Sequence, residues 1–319
     1  MGFLRENQGM KVQRAVRWRS TAILCGLIFC AAGLFYPDQR AQAAITPALK
    51  TNAAMYSRAD GEFVSAIVLD SASGKVLYSY QAEKKWPPAS ITKLMSALVT
   101  LDHHQAWDKL VAVSAQDEVG GARLNVKPGT KVKVRDLFYS SLVGSANNTT
   151  MTLARLSGLG MTGFVKQMNQ KAKELKMTDT VFTEPTGIME TNLTTASDLA
   201  KLAEAAFSQY TIRRAASTMS YRFYEQPKWL LHTLTNTNHL LTRDPDIYVI
   251  GGKTGYIDEA MYNLAVKVKL MKKTVPVLTI VVMGAPTKEA SFASTKALAL
   301  WAWNAYDWSP SAARISLAR

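Results

Sequence analysis

Cysteine is nearly missing from this chain. The 319 residues hold two, Cys25 and Cys30, both inside an N-terminal apolar stretch. Beyond that stretch no thiol can attack a substrate, close a disulfide or ligate a metal. Histidine is also scarce, with four in the chain. His103 and His104 are adjacent, and His232 and His239 lie outside any H-E-x-x-H spacing, so no metal or other cofactor is implied. Acidic residues are few: 24 Asp and Glu stand against 38 Lys and Arg, a formal net charge of +14. Such a surplus calls for an anionic partner. Nucleic acid is not the one expected, because no basic stripe interleaved with aromatics is present. Repeats and low-complexity tracts are absent. What remains is 48% hydrophobic and 19% charged, enough apolar material for a real core and unlike a disordered or fibrous chain.

A membrane-spanning run is lacking too. The apolar segment at 21–35 is about 15 residues long, short of the ~20 needed to cross a bilayer. Arg5, Lys11, Arg14, Arg17 and Arg19 precede it, Pro37 breaks it, and Ala41-Gln42-Ala43 offers a small-x-small cleavage site. This is the layout of a secretory signal peptide over residues 1–43. It predicts export, a periplasmic location and no stable membrane anchor after cleavage. Six basic and two acidic residues fall in the leader, so residues 44–319 keep a charge of +10, suited to an anionic wall or membrane surface.

Residues 62–70 and 75–80 read as two strands of a hairpin around the turn Ser71-Ala72-Ser73-Gly74. A helix is predicted from Ser90 to about Leu101, with Leu94, Leu98 and Leu101 on one face. The middle reads as helices at 135–142, 147–156, 161–175 and 196–207. Strand character returns at 248–253, 263–270 and 275–284, with Lys272-Lys273 in a turn, and 288–303 closes as a helix. Strands at both ends around a helical middle predict an α+β fold. One antiparallel sheet is formed by N- and C-terminal strands, with helices on both faces, in a single domain over 44–319. The helical insertion spans about 100–245.

Three short motifs carry chemistry. Ser90-Ile91-Thr92-Lys93 is S-x-x-K at a helix start, where residues three apart share a face and the Lys93 amine can serve Ser90 as base. An ordinary lysine, near ~10.4, would be charged, so burial or a second cation must depress it. Ser145-Ala146-Asn147 opens another predicted helix; Ser145 can relay a proton to a leaving group, while Asn147 binds a substrate carbonyl and orients Lys93. Lys253-Thr254-Gly255 ends a predicted strand. There Lys253 supplies the second cation, Thr254 bonds a substrate carboxylate and Gly255 lets substrate approach without meeting a Cβ. Alone, each motif also reads as a helix cap or a turn. Their combination and order belong to serine acyl-transfer enzymes that recognise penicillin.

On these residues the sequence resembles the low-molecular-mass penicillin-binding proteins, serine-type D-alanyl-D-alanine carboxypeptidases and endopeptidases. The matching stretches are PPASITKLMSALVTLD (87–102), LFYSSLVGSANNTTMTLA (137–154), EPTGIMETNLTTASDLAKL (184–202) and GGKTGYIDEAMYNLAV (251–266). The resemblance implies a β-lactamase/transpeptidase-like fold, peptidoglycan stem peptides as substrate and β-lactam antibiotics as covalent inhibitors. It implies Ser90 as acyl-ester nucleophile, Lys93 as general base, and Ser145 and Asn147 as proton relay and substrate binder. Lys253 and Thr254 hold the carboxylate, and the backbone N–H groups of Ser90 and Tyr256 form the oxyanion hole, each such donor being worth about 2.7–4 kcal/mol of barrier.

Asn148 stands where many relatives carry Asp. The short C-terminal end and Asn236-Thr237-Asn238-His239-Leu240 resemble the endopeptidase branch, which cuts D-alanyl cross-links, rather than the carboxypeptidase branch. Two alternatives remain open. A β-lactamase uses the same Ser/Lys pair, often with a glutamate that activates water; Glu190-Thr191-Asn192-Leu193 begins like such a loop, but Thr194 replaces the asparagine. A non-catalytic penicillin-binding wall scaffold could keep the same fold.

Overall fold

Two short runs rich in apolar and aromatic residues, separated by the turn at Ser71–Gly74, form the hairpin predicted for them. The computed structural model describes residues 46–309 apart from 58–60, 104–105 and 272–274. The predicted leader with both cysteines, His104 and the turn predicted at Lys272-Lys273 lie outside the described residues. A short strand β1 (Ala48–Leu49) precedes the hairpin strands β2 (Ser65–Asp70) and β3 (Val76–Tyr80). Asp70 shapes their turn by accepting from the Ser73 N–H at 3.0 Å, the local bond that makes Asp a turn residue.

A 3₁₀ turn at Ala89–Ile91 leads into α1 (Thr92–Asp102). Every residue of α1 from Thr92 to Thr100 is buried, as befits a helix enclosed on all sides. Then follow β4 (Leu110–Ala112), β5 (Lys131–Lys133), α2 (Val134–Val143), α3 (Asn147–Leu156), α4 (Gly160–Glu174), α5 (Ala196–Ser208) and α6 (Tyr210–Ala216). Thr195 starts α5 as a cap, its hydroxyl accepting from the Asp198 N–H at 3.1 Å. The hairpin β6 (Ser220–Tyr224) and β7 (Leu231–Thr235) and the short α7 (His239–Thr242) precede β8 (Ile247–Ile257), β9 (Met261–Leu270) and β10 (Leu278–Ala285). The long α8 (Lys288–Ala305), capped by Thr287, leads to β11 (Tyr306–Asp307), which pairs with β1.

The main sheet runs β3-β2-β10-β9-β8, antiparallel throughout. Strands from both ends of the chain therefore share one sheet, and the segment between β3 and β8 is inserted, as the α+β reading requires. Side chains alternate across a strand, and both faces are covered. Ala66, Val68, Val266, Ile280 and Val282 pack with Leu298, Ala299 and Ala302 of α8. Ile67, Ala265, Val281 and Met283 pack with α1 and α5 on the other side. All eight residues of β10, the middle strand, are buried.

Two small ladders, β4–β5 and β6–β7, interrupt a middle predicted to be helical. Three residues are too few to show alternation, and β6 and β7 are largely exposed, so their apolar contrast is weak. The strand predicted to end at Lys253 continues to Ile257, which puts Lys-Thr-Gly inside it. Trp301 meets Tyr56 and Tyr78 edge-on and donates to the Ala54 carbonyl at 2.8 Å, so α8 covers the N-terminal segment with it. Among the described residues no helix is long and apolar enough to cross a membrane.

Candidate active site

Ser90 sits in the 3₁₀ turn ahead of α1, and Lys93 reaches back one turn to it. Lys93 Nζ and Ser90 Oγ are hydrogen-bonded at 2.7 Å, and the same Nζ meets the Thr186 carbonyl at 2.7 Å. Lys93 is completely buried. Loss of water, and then the neighbouring Lys253, push its amine well below the ordinary lysine range, against an opposing pull from Glu184. A neutral amine beside a serine hydroxyl is a base in contact with its acid.

The loop over residues 184–192 supplies the Thr186 carbonyl. Glu184 shapes it, accepting from the Thr186 N–H at 2.7 Å and the Gly187 N–H at 2.5 Å. Gly187 has φ +79°, and a Cβ there would lie 1.8 Å from the Ala89 carbonyl oxygen. The loop therefore rests directly on the nucleophile turn, where Ala89 itself has φ +48°. Glu184 and Thr186 had no assigned role in the sequence reading. Their one signal was the EPTG stretch, which carries no catalytic motif by itself.

Ser145 faces Ser90 from between α2 and α3. Its φ is +60°, a left-handed conformation that costs a non-glycine residue of order 1–3 kcal/mol and collects at functional sites. It caps no helix: Ala146 holds the N-cap of α3 without a side-chain bond. Its Oγ accepts from Lys253 Nζ at 2.9 Å. Asn147 does not bond Lys93; its Nδ2 donates to the Gly120 carbonyl at 2.9 Å, and its buried Oδ1 has no partner among the described residues.

Asn148 explains its own identity. Its Oδ1 accepts from the Leu124 N–H, while Nδ2 donates to the Leu124 carbonyl and to Glu118, all at 2.9 Å. An aspartate could not donate and would set its charge against Glu118. Lower down, Asp117 is 2% exposed. Burial would raise its carboxyl, but hydrogen bonds from Arg155, the Ser114 N–H and Thr152 hold it below the usual carboxylate range. Arg155 grips both carboxylate oxygens, at 3.0 and 2.8 Å. Together these bonds tie residues 114–124 to α3.

Lys253 lies on β8, 1% exposed, and burial pulls its amine down to about 7. An arriving carboxylate would raise it again and restore its charge. The Thr254 hydroxyl is hydrogen-bonded to that of Thr237 at 2.5 Å. Gly255 lines the cleft and also lets two backbone segments meet. A Cβ there would lie 2.6 Å from the Pro88 carbonyl oxygen and 3.2 Å from the Ser90 nitrogen, so glycine lets β8 run against the nucleophile turn. Gly255→Ala is expected to displace Ser90 and slow acylation by penicillin at least tenfold, since a 1 Å misplacement can cost about 10²-fold. Stopped-flow acylation kinetics check this, and an unchanged rate would show that the turn absorbs the methyl group.

Ser90, Ser145, Thr237, Thr254, Gly255 and Tyr256 line one cleft of about 620 Å³. Lys93 and Lys253 stand buried behind it. Lys288, at the start of α8, also lines it; no motif announced this residue, because it comes from a remote helix. Glu190 is exposed and is not part of the lining. His232 pairs with Glu225 at 2.8 Å, and His239 stacks on Phe292, which itself lines the cleft.

Two Ser/Lys pairs facing one another across a cleft, on an antiparallel sheet flanked by helices, define a serine acyl-transfer hydrolase. The family model described as D-alanyl-D-alanine carboxypeptidase matches residues 52–287. The chain is similar to a D-alanyl-D-alanine endopeptidase of Pseudomonas aeruginosa, 35% identical over 74% of this chain and 76% of that one. It is also similar to one of Escherichia coli, 34% identical over 82% of each. Among solved structures it is similar to a D-alanyl-D-alanine carboxypeptidase of Mycobacterium tuberculosis, with a TM-score of 0.71 and 28% identity over 81% of this chain and 96% of that one. The chain belongs to the D-alanyl-D-alanine carboxypeptidase family, the serine DD-peptidases among the low-molecular-mass penicillin-binding proteins.

Proposed function

We propose that this protein is a periplasmic DD-endopeptidase that opens D-alanyl cross-links in peptidoglycan through an acyl-enzyme on Ser90. The observation that carries the reading is the buried Lys93, 2.7 Å from Ser90 Oγ and held well below the ordinary lysine range. Lys93 takes the Ser90 proton as Oγ bonds to the D-alanyl carbonyl carbon. The backbone N–H groups of Ser90 and Tyr256 hold the oxyanion. As the C–N bond breaks, Ser145, hydrogen-bonded to Lys253, passes its proton to the departing amine and is reprotonated by Lys93, which gives up the proton taken from Ser90 and returns to the neutral amine. Water then adds to the ester, Lys93 accepting its proton, and Ser90 is regenerated.

Lys253, Thr254 and Asn147 are assigned to substrate binding, with Lys253 and Thr254 on the carboxylate. Gly255 is assigned to the approach of substrate along the strand edge and also to the approach of β8 to the nucleophile turn. The exposed position of Glu190 speaks against a β-lactamase, which needs a water-activating group at the ester. A complete set of reactive side chains speaks against a bare scaffold. The similarity to two endopeptidases supports cleavage of cross-links over removal of a terminal D-alanine.

The test is mass spectrometry of muropeptides after incubation with residues 44–319, offering cross-linked dimers and pentapeptide monomers together. Conversion of dimers to monomers is the expected result. Loss of D-alanine from monomers with dimers intact would make the enzyme a carboxypeptidase.

A further inference from the structure

A second cavity, larger than the Ser90 cleft at about 820 Å³, lies beside it. The two share a wall. Gly121 and Ala122 line the cleft, and the next residue, Arg123, lines the cavity. The opposite side of the cavity is the β6–β7 hairpin, which contributes Glu225, Lys228 and His232. This hairpin also touches the catalytic wall: Leu234 reaches within 3.5 Å of the Cβ position of Gly144, the residue before Ser145. His232 and Leu234 are the two half-buried residues of β7, on one face of the strand. That face therefore leads from the Ser145 side of the cleft into the cavity.

The chemistry of the lining is uneven. Arg123 pairs with Glu118 at 3.6 Å, and Glu225 is taken up by His232 at 2.8 Å. Lys127 and Lys228 are exposed and have no ion pair among the described residues. The charge left over is positive, on two flexible side chains at a wide mouth.

We propose that this cavity binds the second stem peptide of a cross-linked substrate, the part that leaves as an amine, through its free carboxylates on Lys127 and Lys228. This rests on the endopeptidase reading. Ser145 delivers the proton to the departing amine, so the leaving strand exits on its side of the cleft, where the β7 face leads. A carboxypeptidase releases a single D-alanine, which is far smaller than the cavity and has no use for it.

Lys127→Glu with Lys228→Glu is expected to lower kcat/KM for a cross-linked disaccharide-tetrapeptide dimer at least tenfold, mainly through KM. Acylation of Ser90 by benzylpenicillin should not change. Lys127→Ala with Lys228→Ala is read the same way, in case charge reversal disturbs folding. Binding is measured separately on Ser90→Ala protein, by equilibrium dialysis with the disaccharide tetrapeptide. Binding should disappear when both lysines are replaced, or when the peptide carboxylates are blocked as amides. Unchanged dimer kinetics and unchanged tetrapeptide binding in the lysine variants would overturn the cavity assignment and leave the Ser90 reading standing. A wild-type protein that reacts with penicillin but cleaves no dimer would sink the endopeptidase reading. The dialysis result would then decide the cavity alone, lysine-dependent binding supporting it and its absence removing it.

Discussion

Ser90→Ala protein is expected to take up no radiolabelled penicillin and to lose DD-peptidase activity by about a millionfold, the scale on which a serine nucleophile is missed. The fold should hardly notice. Lys93 keeps its bond to the Thr186 carbonyl, burial still holds its amine below the ordinary lysine range, and only one hydroxyl contact disappears. A melting temperature within about 3 °C of the parent is expected, matching a change below ~1 kcal/mol. Labelling that survives the substitution would remove Ser90 from the nucleophile's role. Lost labelling with a collapsed melting temperature would leave the role open to a purely structural explanation, which intact-mass analysis of a Ser90→Cys variant would then separate.

Lys253→Ala is expected to slow acylation at neutral pH by roughly 10²-fold, the size of losing one desolvated charge contact, and also to move the acid limb of the pH–rate profile. The sign follows from the geometry. The reactive form of Lys93 is the neutral amine, so rate falls as pH drops through its pKa. Lys253 presses that pKa down. Without it Lys93 holds its proton to higher pH, and the limb shifts to the alkaline side. Burial remains the larger cause, so the shift should be partial. A slower enzyme with an unmoved limb would mean that Lys253 binds substrate without tuning its neighbour.

The sheet strands and most helices were legible because their period survives in the residues. Residues 263–270 alternate between two covered faces, and α3 and α5 repeat every three to four. The β4–β5 ladder was not legible, since three-residue strands carry no period. Asn148 and Glu184 escaped for another reason. Each acts through backbone groups, Leu124 in one case and Thr186 and Gly187 in the other, and a sequence does not say which loop will come to lie beside a side chain.

The Ser90–Lys93 pair needed no fold to be recognised, because three residues along a helical turn bring the two side chains together whatever surrounds them. The lowering of the Lys93 amine far below the ordinary lysine range is a different kind of fact. It needs Lys253 and the burial of α1 from Thr92 to Thr100, and those arise only when the sheet closes and the inserted helices pack against it. Ser145 and Lys253 are 108 residues apart yet 2.9 Å from contact to contact; their meeting depends on β8 running beside the nucleophile turn, which Gly255 permits by having no Cβ. Local geometry thus announced the reagents, and long-range packing set their protonation and their approach, since desolvation and like-charge pressure depend on neighbours that no short stretch of chain contains.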